Sequence, residues 1–182
     1  MKKLLPLLLL SLLLAACGAK ESPIQPMGMG GGNGMMERHH ATIPDEYASL
    51  TNPVTADVDS LARGASIYAT HCASCHGDGG MGDGVAGSAL DPKPAPLAHS
   101  SQMMGSAYLF WRVSEGGVPF NSAMPVWKDT LDEQSRWDVI NYIRALGAGT
   151  VTPVSGSGGE AYDPKTQAAQ QAAILAQAIE QG

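Results

Sequence analysis

The sequence is poor in cysteine: three in 182 residues. Only Cys72 and Cys75 are close together, so no second pair exists to complete a four-cysteine zinc site. Basic residues are also scarce, eleven against seventeen acidic, and none form a block, so nucleic acid is not expected as a partner. No apolar run reaches the roughly 20 residues that a spanning helix needs. No stretch of the central region reads convincingly as a strand pair. Ser/His/Asp, paired-carboxylate and phosphate-loop arrangements are missing as well, so neither bond-making chemistry nor a small-molecule substrate is expected.

The chain starts with "MKKLLPLLLLSLLLAAC": two lysines, a leucine run, then small residues before Cys17. That is the layout of a secretory signal over residues 1–16. "LAAC" resembles a bacterial lipobox, which implies lipidation of Cys17 and a mature protein tethered to the cell membrane outside the cytoplasm, on its periplasmic or outer face. The alternative is an ordinary cleaved signal with a cysteine beside the cut. Cleavage would remove Lys2 and Lys3, leaving nine basic side chains against seventeen acidic, a net −8. A redox partner steered by charge would then carry a basic patch.

Residues 17–56 read as a flexible tether, with "GMGGGNGMM" and scattered prolines and no sustained apolar period. At about 5–6 Å times the square root of length, forty such residues span roughly 35 Å. The part "TIPDEYASLTNP" can instead lie against the domain. Met27, Met29, Met35, Met36, His39 and His40 have the softness that suits Cu(I), against the plainer reading of a biased tail.

The folded core is expected over 57–147 and is all-α. Val58, Leu61, Ala65 and Tyr68 mark one helical stripe, with Asp57 or Asp59 as its cap. Residues 77–100 read as loop, and "SAYLFWRVSEGG" as a short helix between Ser106 and Gly116. In "TLDEQSRWDVINYIRALG", Thr130 and Glu133 form a capping box, Val139, Tyr142, Ile143 and Leu146 an apolar face, and Gly147 a stop. Beyond it lie a linker and a thinly striped helix, 148–182 in all, with Asp163 and Pro164 at the helix start.

"ATHCASCHGDGG" supplies the chemistry. C-x-x-C-H in an exported chain is the attachment signal for c-type haem. Two cysteines three apart on a turn can bond the two vinyl groups of one macrocycle edge, and His76 then lies under the iron. Three rivals compete for the pair. A thioredoxin-like couple needs an α/β sheet. A zinc site would have to recruit His71 and His99, which are poorly spaced. A Cys72–Cys75 disulfide closes too tight a loop to stabilise much.

"LARGASIYATHCASCHGDGGMGDG", "AMPVW" and "RWDVINYIRAL" resemble the class I, mono-haem cytochrome c family, over about half the chain. The resemblance implies an all-α domain around one covalent haem c, with flexible extensions on either side. It implies a crossing of the first and last helices at Gly64, Tyr68 and Tyr142, and a distal methionine at Met124. Met81, Met103 and Met104 are the other methionines of the core. Met103 and Met104 read as packing residues, and Met81 sits too near the motif to reach the far face easily. A carbonyl for the second nitrogen of His76 is expected from "PKPAPL", at Pro94 or Ala95. Leu97, Phe110, Trp111 and Trp127 are candidates for the pocket wall or for ordinary packing, and Arg112 or Trp127 for a propionate contact. The expected function is one-electron transfer by a non-enzymatic, membrane-tethered carrier. The alternatives are a fixed haem subunit of a membrane oxidoreductase complex and a ligand-binding or sensor haem protein with an open sixth position.

Overall fold

In the computed structural model, residues 38, 40–153, 165, 166 and 169 are described. Cys17, the signal, most of the tether, the Met27–Met36 methionines, His39 and most of the C-terminal piece lie outside them. Six α-helices follow one another among the described residues. They are α1 (Asp45–Ala48), α2 (Val58–His71), α3 (Ala73–His76), α4 (Leu97–Met103), α5 (Ser106–Glu115) and α6 (Glu133–Gly147). Tight 3-10 turns at Val85–Gly87, Val118–Phe120 and Trp127–Asp129 complete the path, and no strand occurs among the described residues.

The main contact is α2 against α6. Asp57 caps α2, accepting from the Ser60 N–H at 2.8 Å. Ala65 and Tyr68 are fully buried, but Val58, the first residue of the expected stripe, is 55% exposed. Ser60 takes the buried place instead, for a polar reason. Asp138 of α6 is buried, and its carboxylate accepts from Ser60 Oγ at 2.7 Å and from Arg63 Nε at 2.7 Å. A buried carboxylate needs such partners, so the contact face of α2 is not purely apolar. At the crossing, a Cβ on Gly64 would lie 2.7 Å from the Asp138 carbonyl carbon and 2.8 Å from Tyr142 Cβ. Glycine therefore sets how closely the helices approach. Tyr68 and Tyr142 meet there with ring centroids 5.4 Å apart.

The start of α6 differs from expectation. Residues 127–131 close a turn in which the Thr130 and Leu131 amides both donate to the Trp127 carbonyl, at 3.0 and 2.7 Å. Thr130 thereby takes a helical conformation, and the capping role passes to the extended Asp132, which accepts from the Ser135 N–H at 2.7 Å. A second difference is α4, which begins at Leu97 inside the expected loop.

Two apolar clusters share α6. The first joins Ala65, Tyr68, Ala73, Val139, Tyr142, Ile143, Leu146 and Val151. The second joins Tyr108, Leu109, Phe110 and Trp111 of α5 to Trp137 and Ile140. Ala41, Ile43, Tyr47, Leu50 and Val54 cover that second cluster. Asn52 Nδ2 donates to Asn141 Oδ1 at 2.7 Å, and Asn141 Nδ2 to the Val54 carbonyl at 3.1 Å. Residues 41–54 are thus a strap on the domain rather than free tether. Its spaced apolar residues bury a face of α5 and α6 that would otherwise meet water.

Candidate haem-attachment site

α2 runs almost directly into the motif. The Cys72 amide still donates to the Tyr68 carbonyl at 2.9 Å, and the His76 amide to the Cys72 carbonyl at 2.9 Å. The single turn α3 therefore carries Cys75 and His76 with Cys72 at its head. Tyr68 fixes the far end of this turn, its buried hydroxyl donating to the Gly77 carbonyl at 2.7 Å. Cys72 and Cys75 are free thiols, not a disulfide. Burial, with Cys75 beside it, pushes the Cys72 thiol up to about 12, so it stays protonated. That does not suit the low-pKa thiolate of a redox pair. Among the described residues no group of three or more His, Cys, Asp or Glu side chains could hold a metal ion, which removes the zinc reading there.

His76 Nδ1 lies 2.9 Å from the Ala95 carbonyl. A carbonyl only accepts, so Nδ1 carries the proton and Nε2 keeps its lone pair. Burial lowers the pKa of the imidazole, only partly opposed by this hydrogen bond, and a neutral ring is what a metal ligand requires. The loop after the motif brings Ala95 into place. The Gly82 amide donates to the His76 carbonyl at 2.8 Å, and the Ala98 amide to the Gly80 carbonyl at 3.0 Å. Gly82 has φ 80°, and a Cβ there would lie 2.7 Å from the Pro94 carbonyl oxygen.

Met124 is half-buried, on the segment between the Val118–Phe120 and Trp127–Asp129 turns. Its carbonyl accepts from the Gly117 amide at 2.8 Å. Met81 and Met103 are 59% and 53% exposed, so Met103 is not the packing residue expected, whereas Met104 does pack on the second cluster. Phe110 stacks on Trp137 at 4.1 Å, Trp111 sits edge-on to Tyr108, and Leu97 packs on the first cluster. Trp127 lies beside His71, with centroids 5.1 Å apart.

Arg112 supplies the test of fit for a haem. Its Nη1 is buried with no hydrogen-bond partner. The guanidinium lies 4.3 Å from the Phe120 ring centroid, and burial pushes its pKa below the ordinary value. Tyr108 and Arg38 are its titratable neighbours, and neither is a carboxylate. A half-buried guanidinium with one buried nitrogen left unpartnered fits an anionic group such as a haem propionate. Two free thiols on one turn, a neutral imidazole with one nitrogen uncommitted and this orphaned cation together fit haem c.

Sequence reasoning allowed "TIPDEYASLTNP" to lie against the domain but did not find its partners, nor the ion pair of Lys128 Nζ with Glu115 at 2.9 Å, for which no local pattern exists. The orphaned Arg112 atom gives its residue a weight that the sequence left open.

Residues 59–143 match the family described as Cytochrome C oxidase, cbb3-type, subunit III. The chain is 30% identical over 122 residues to a Cbb3-type cytochrome c oxidase subunit CcoP of Azospirillum sp. (strain B510), covering 65% of this chain and 40% of that protein. It is 31% identical over 111 residues to a subunit FixP of Bradyrhizobium diazoefficiens, covering 59% and 35%. The match therefore spans two fifths or less of the length of these curated relatives. A chain of the Kuenenia stuttgartiensis reducing HAO-like protein complex overlaps 52% of this chain and 46% of its own, at 24% identity and a TM-score of 0.43, too loose a likeness to argue from. By its C-x-x-C-H turn, its all-helical domain and these relatives, the chain belongs to the cytochrome c family.

Proposed function

We propose that this chain is a one-electron carrier holding a single haem c, tethered to the membrane through lipid on Cys17. One C-x-x-C-H occurs in the sequence, which supports one haem. Cys72 and Cys75 would hold it by thioethers, His76 Nε2 and Met124 would be the axial ligands, and Arg112 would face a propionate. Haem c supplies the Fe(III)/Fe(II) couple. The residues of this chain keep the ligand set nearly unchanged between the two states. Ala95 fixes the ring of His76 and raises its basicity, and Pro125 stiffens the segment that carries Met124. Met124 would also deny the iron to a diatomic ligand.

The observation that carries this reading is the His76–Ala95 hydrogen bond, which leaves Nε2 of a neutral imidazole as the one uncommitted donor beside two free thiols. The test is to express the full chain with a cytochrome c maturation system. The expected product keeps its pigment in acidified organic solvent and contains one iron per chain. Its ferric spectrum shows the weak far-red band of methionine on haem iron, and Met124→Ala loses that band. Pigment that extracts into the solvent overturns the attachment. A wild-type protein that lacks the band and readily binds carbon monoxide when reduced supports the sensor reading.

A second reading has its own support. The relatives are named as subunits of cbb3-type cytochrome c oxidase, so this chain could be a fixed subunit of a membrane oxidoreductase. Purification from native membranes distinguishes the two: a stable multi-subunit particle favours the subunit, a free monomer the shuttle. Among the described residues no helix is long and apolar enough to cross a membrane.

A further inference from the structure

The segment carrying Met124 leaves α5 at Glu115, passes the Val118–Phe120 turn and ends at the turn that starts at Trp127. Its base is closed in two ways. The Gly117 amide donates to the Met124 carbonyl at 2.8 Å. Across the same base, Lys128 Nζ donates to both carboxylate oxygens of Glu115, each at 2.9 Å. The strap adds a third member from outside the region matched by the family, because the Tyr47 hydroxyl also donates to Glu115 Oε1. Tyr47 is placed by its own packing, with its ring 6.3 Å from Phe110 and its turn covering the second cluster. One carboxylate therefore joins the strap, the end of α5 and the turn that follows Met124.

We infer that Tyr47 and Glu115 are positioning residues that hold the base of the Met124 segment closed, so that the strap controls how readily the distal ligand leaves the iron. This rests on Met124 being that ligand. A lone exposed ion pair contributes little. Here Glu115 is held from two sides, its side chain only 24% exposed, and its bond to Lys128 ties the two ends of the segment together. Freed from this clasp, the Met124 segment would open locally while the α2–α6 crossing stays intact, since the two share no hydrogen bond described above.

The test uses the mature full-length holoprotein in its ferric form, with imidazole as the competing ligand at 25 °C. Imidazole gains the iron only when the methionine leaves, so its apparent affinity reports the open fraction. Tyr47→Phe removes one hydroxyl, and Glu115→Gln removes the charge that Lys128 needs. Each is expected to raise imidazole affinity about three- to tenfold, the range for losing one partly exposed hydrogen bond. Lys128→Met should match Glu115→Gln, and Lys128→Arg should restore wild-type affinity. A purely structural role for the strap would lower the melting temperature and leave imidazole affinity at 25 °C unmoved. Affinity unchanged within twofold in both Tyr47→Phe and Glu115→Gln overturns the inference while leaving Met124 as ligand. A wild-type protein without the methionine band overturns the ligand reading and the inference together, so the two failures are separable.

Discussion

His76 and Ala95 stand 19 residues apart in sequence, and His76 Nδ1 lies 2.9 Å from the Ala95 carbonyl. The acceptor is backbone, so no side-chain change at Ala95 removes it. It can be displaced from the opposite strand of the loop. Gly82 sits at φ 80° with the Pro94 carbonyl oxygen 2.7 Å from where a Cβ would stand. Gly82→Ala should push the 94–95 backbone away and weaken the N–H···O bond. With His76 as the proposed iron ligand, a weaker bond would make the imidazole a poorer donor, which would favour Fe(II) and raise the reduction potential. With about 1 kcal/mol of differential stabilisation lost, the rise is about 40 mV for one electron. An equilibrium redox titration checks it, and an unchanged or lower potential would show that Ala95 does not tune this ligand.

At the α2–α6 crossing, Gly64→Ala should be among the most damaging single-methyl changes available. The added Cβ meets backbone of Asp138, which cannot rotate away. Overpacking of this kind costs about 2 kcal/mol, roughly 8–16 °C in Tm for a domain of about 90 residues. Gly79→Ala is the control, because its nearest heavy atom is Met81 Cγ at 3.8 Å. That variant should match the wild type or slightly exceed it, through the less flexible unfolded chain. Thermal melts of the two holoproteins decide; equal losses would mean that the helices re-space at no cost.

How much of this was readable in advance follows from the range of each interaction. The C-x-x-C-H turn and the Asp57 cap are local patterns, fixed by spacing along one helix, whereas the Gly64–Tyr68 contact with Tyr142 was implied by the resemblance. Ala95 was within reach through the resemblance, because a proline-rich loop so close to the motif has few places to go. Val58 was misassigned because counting apolar residues ignores Asp138, whose buried carboxylate draws Ser60 and Arg63 inward. The Thr130 capping box was mislocated because the sequence holds two cap signals and only the turn at Trp127 chooses between them. The strap is the least legible part. Tyr47 meets Glu115 across 68 residues, and nothing near Tyr47 marks its partner. Residues 41–54 have too little periodicity to separate a docked segment from a linker until the face they cover is known.

The Tyr47–Glu115 contact should also have a pH plateau, with edges set by its own two groups. Hydrogen bonds from Lys128 and then Tyr47 hold the Glu115 carboxyl below its ordinary 4.5. Its contribution to stability is present above that value and is lost as pH falls through the depressed one. Burial, and then the bond to Glu115, pushes Tyr47 from 10.0 up to about 12. Its contribution is full below 10.0 and is lost as pH rises through about 12. Arg136 and Glu46 are the other charges facing the pair. The stability difference between wild type and Tyr47→Phe, from denaturant unfolding, should therefore be constant between 4.5 and 10.0 and shrink on both sides. Its plateau height is on the order of 1 kcal/mol, the scale of one partly exposed hydrogen bond to a charged group. A difference that vanishes near neutrality would mean that the strap is held by its apolar residues and its bonds to Asn141, without help from Tyr47.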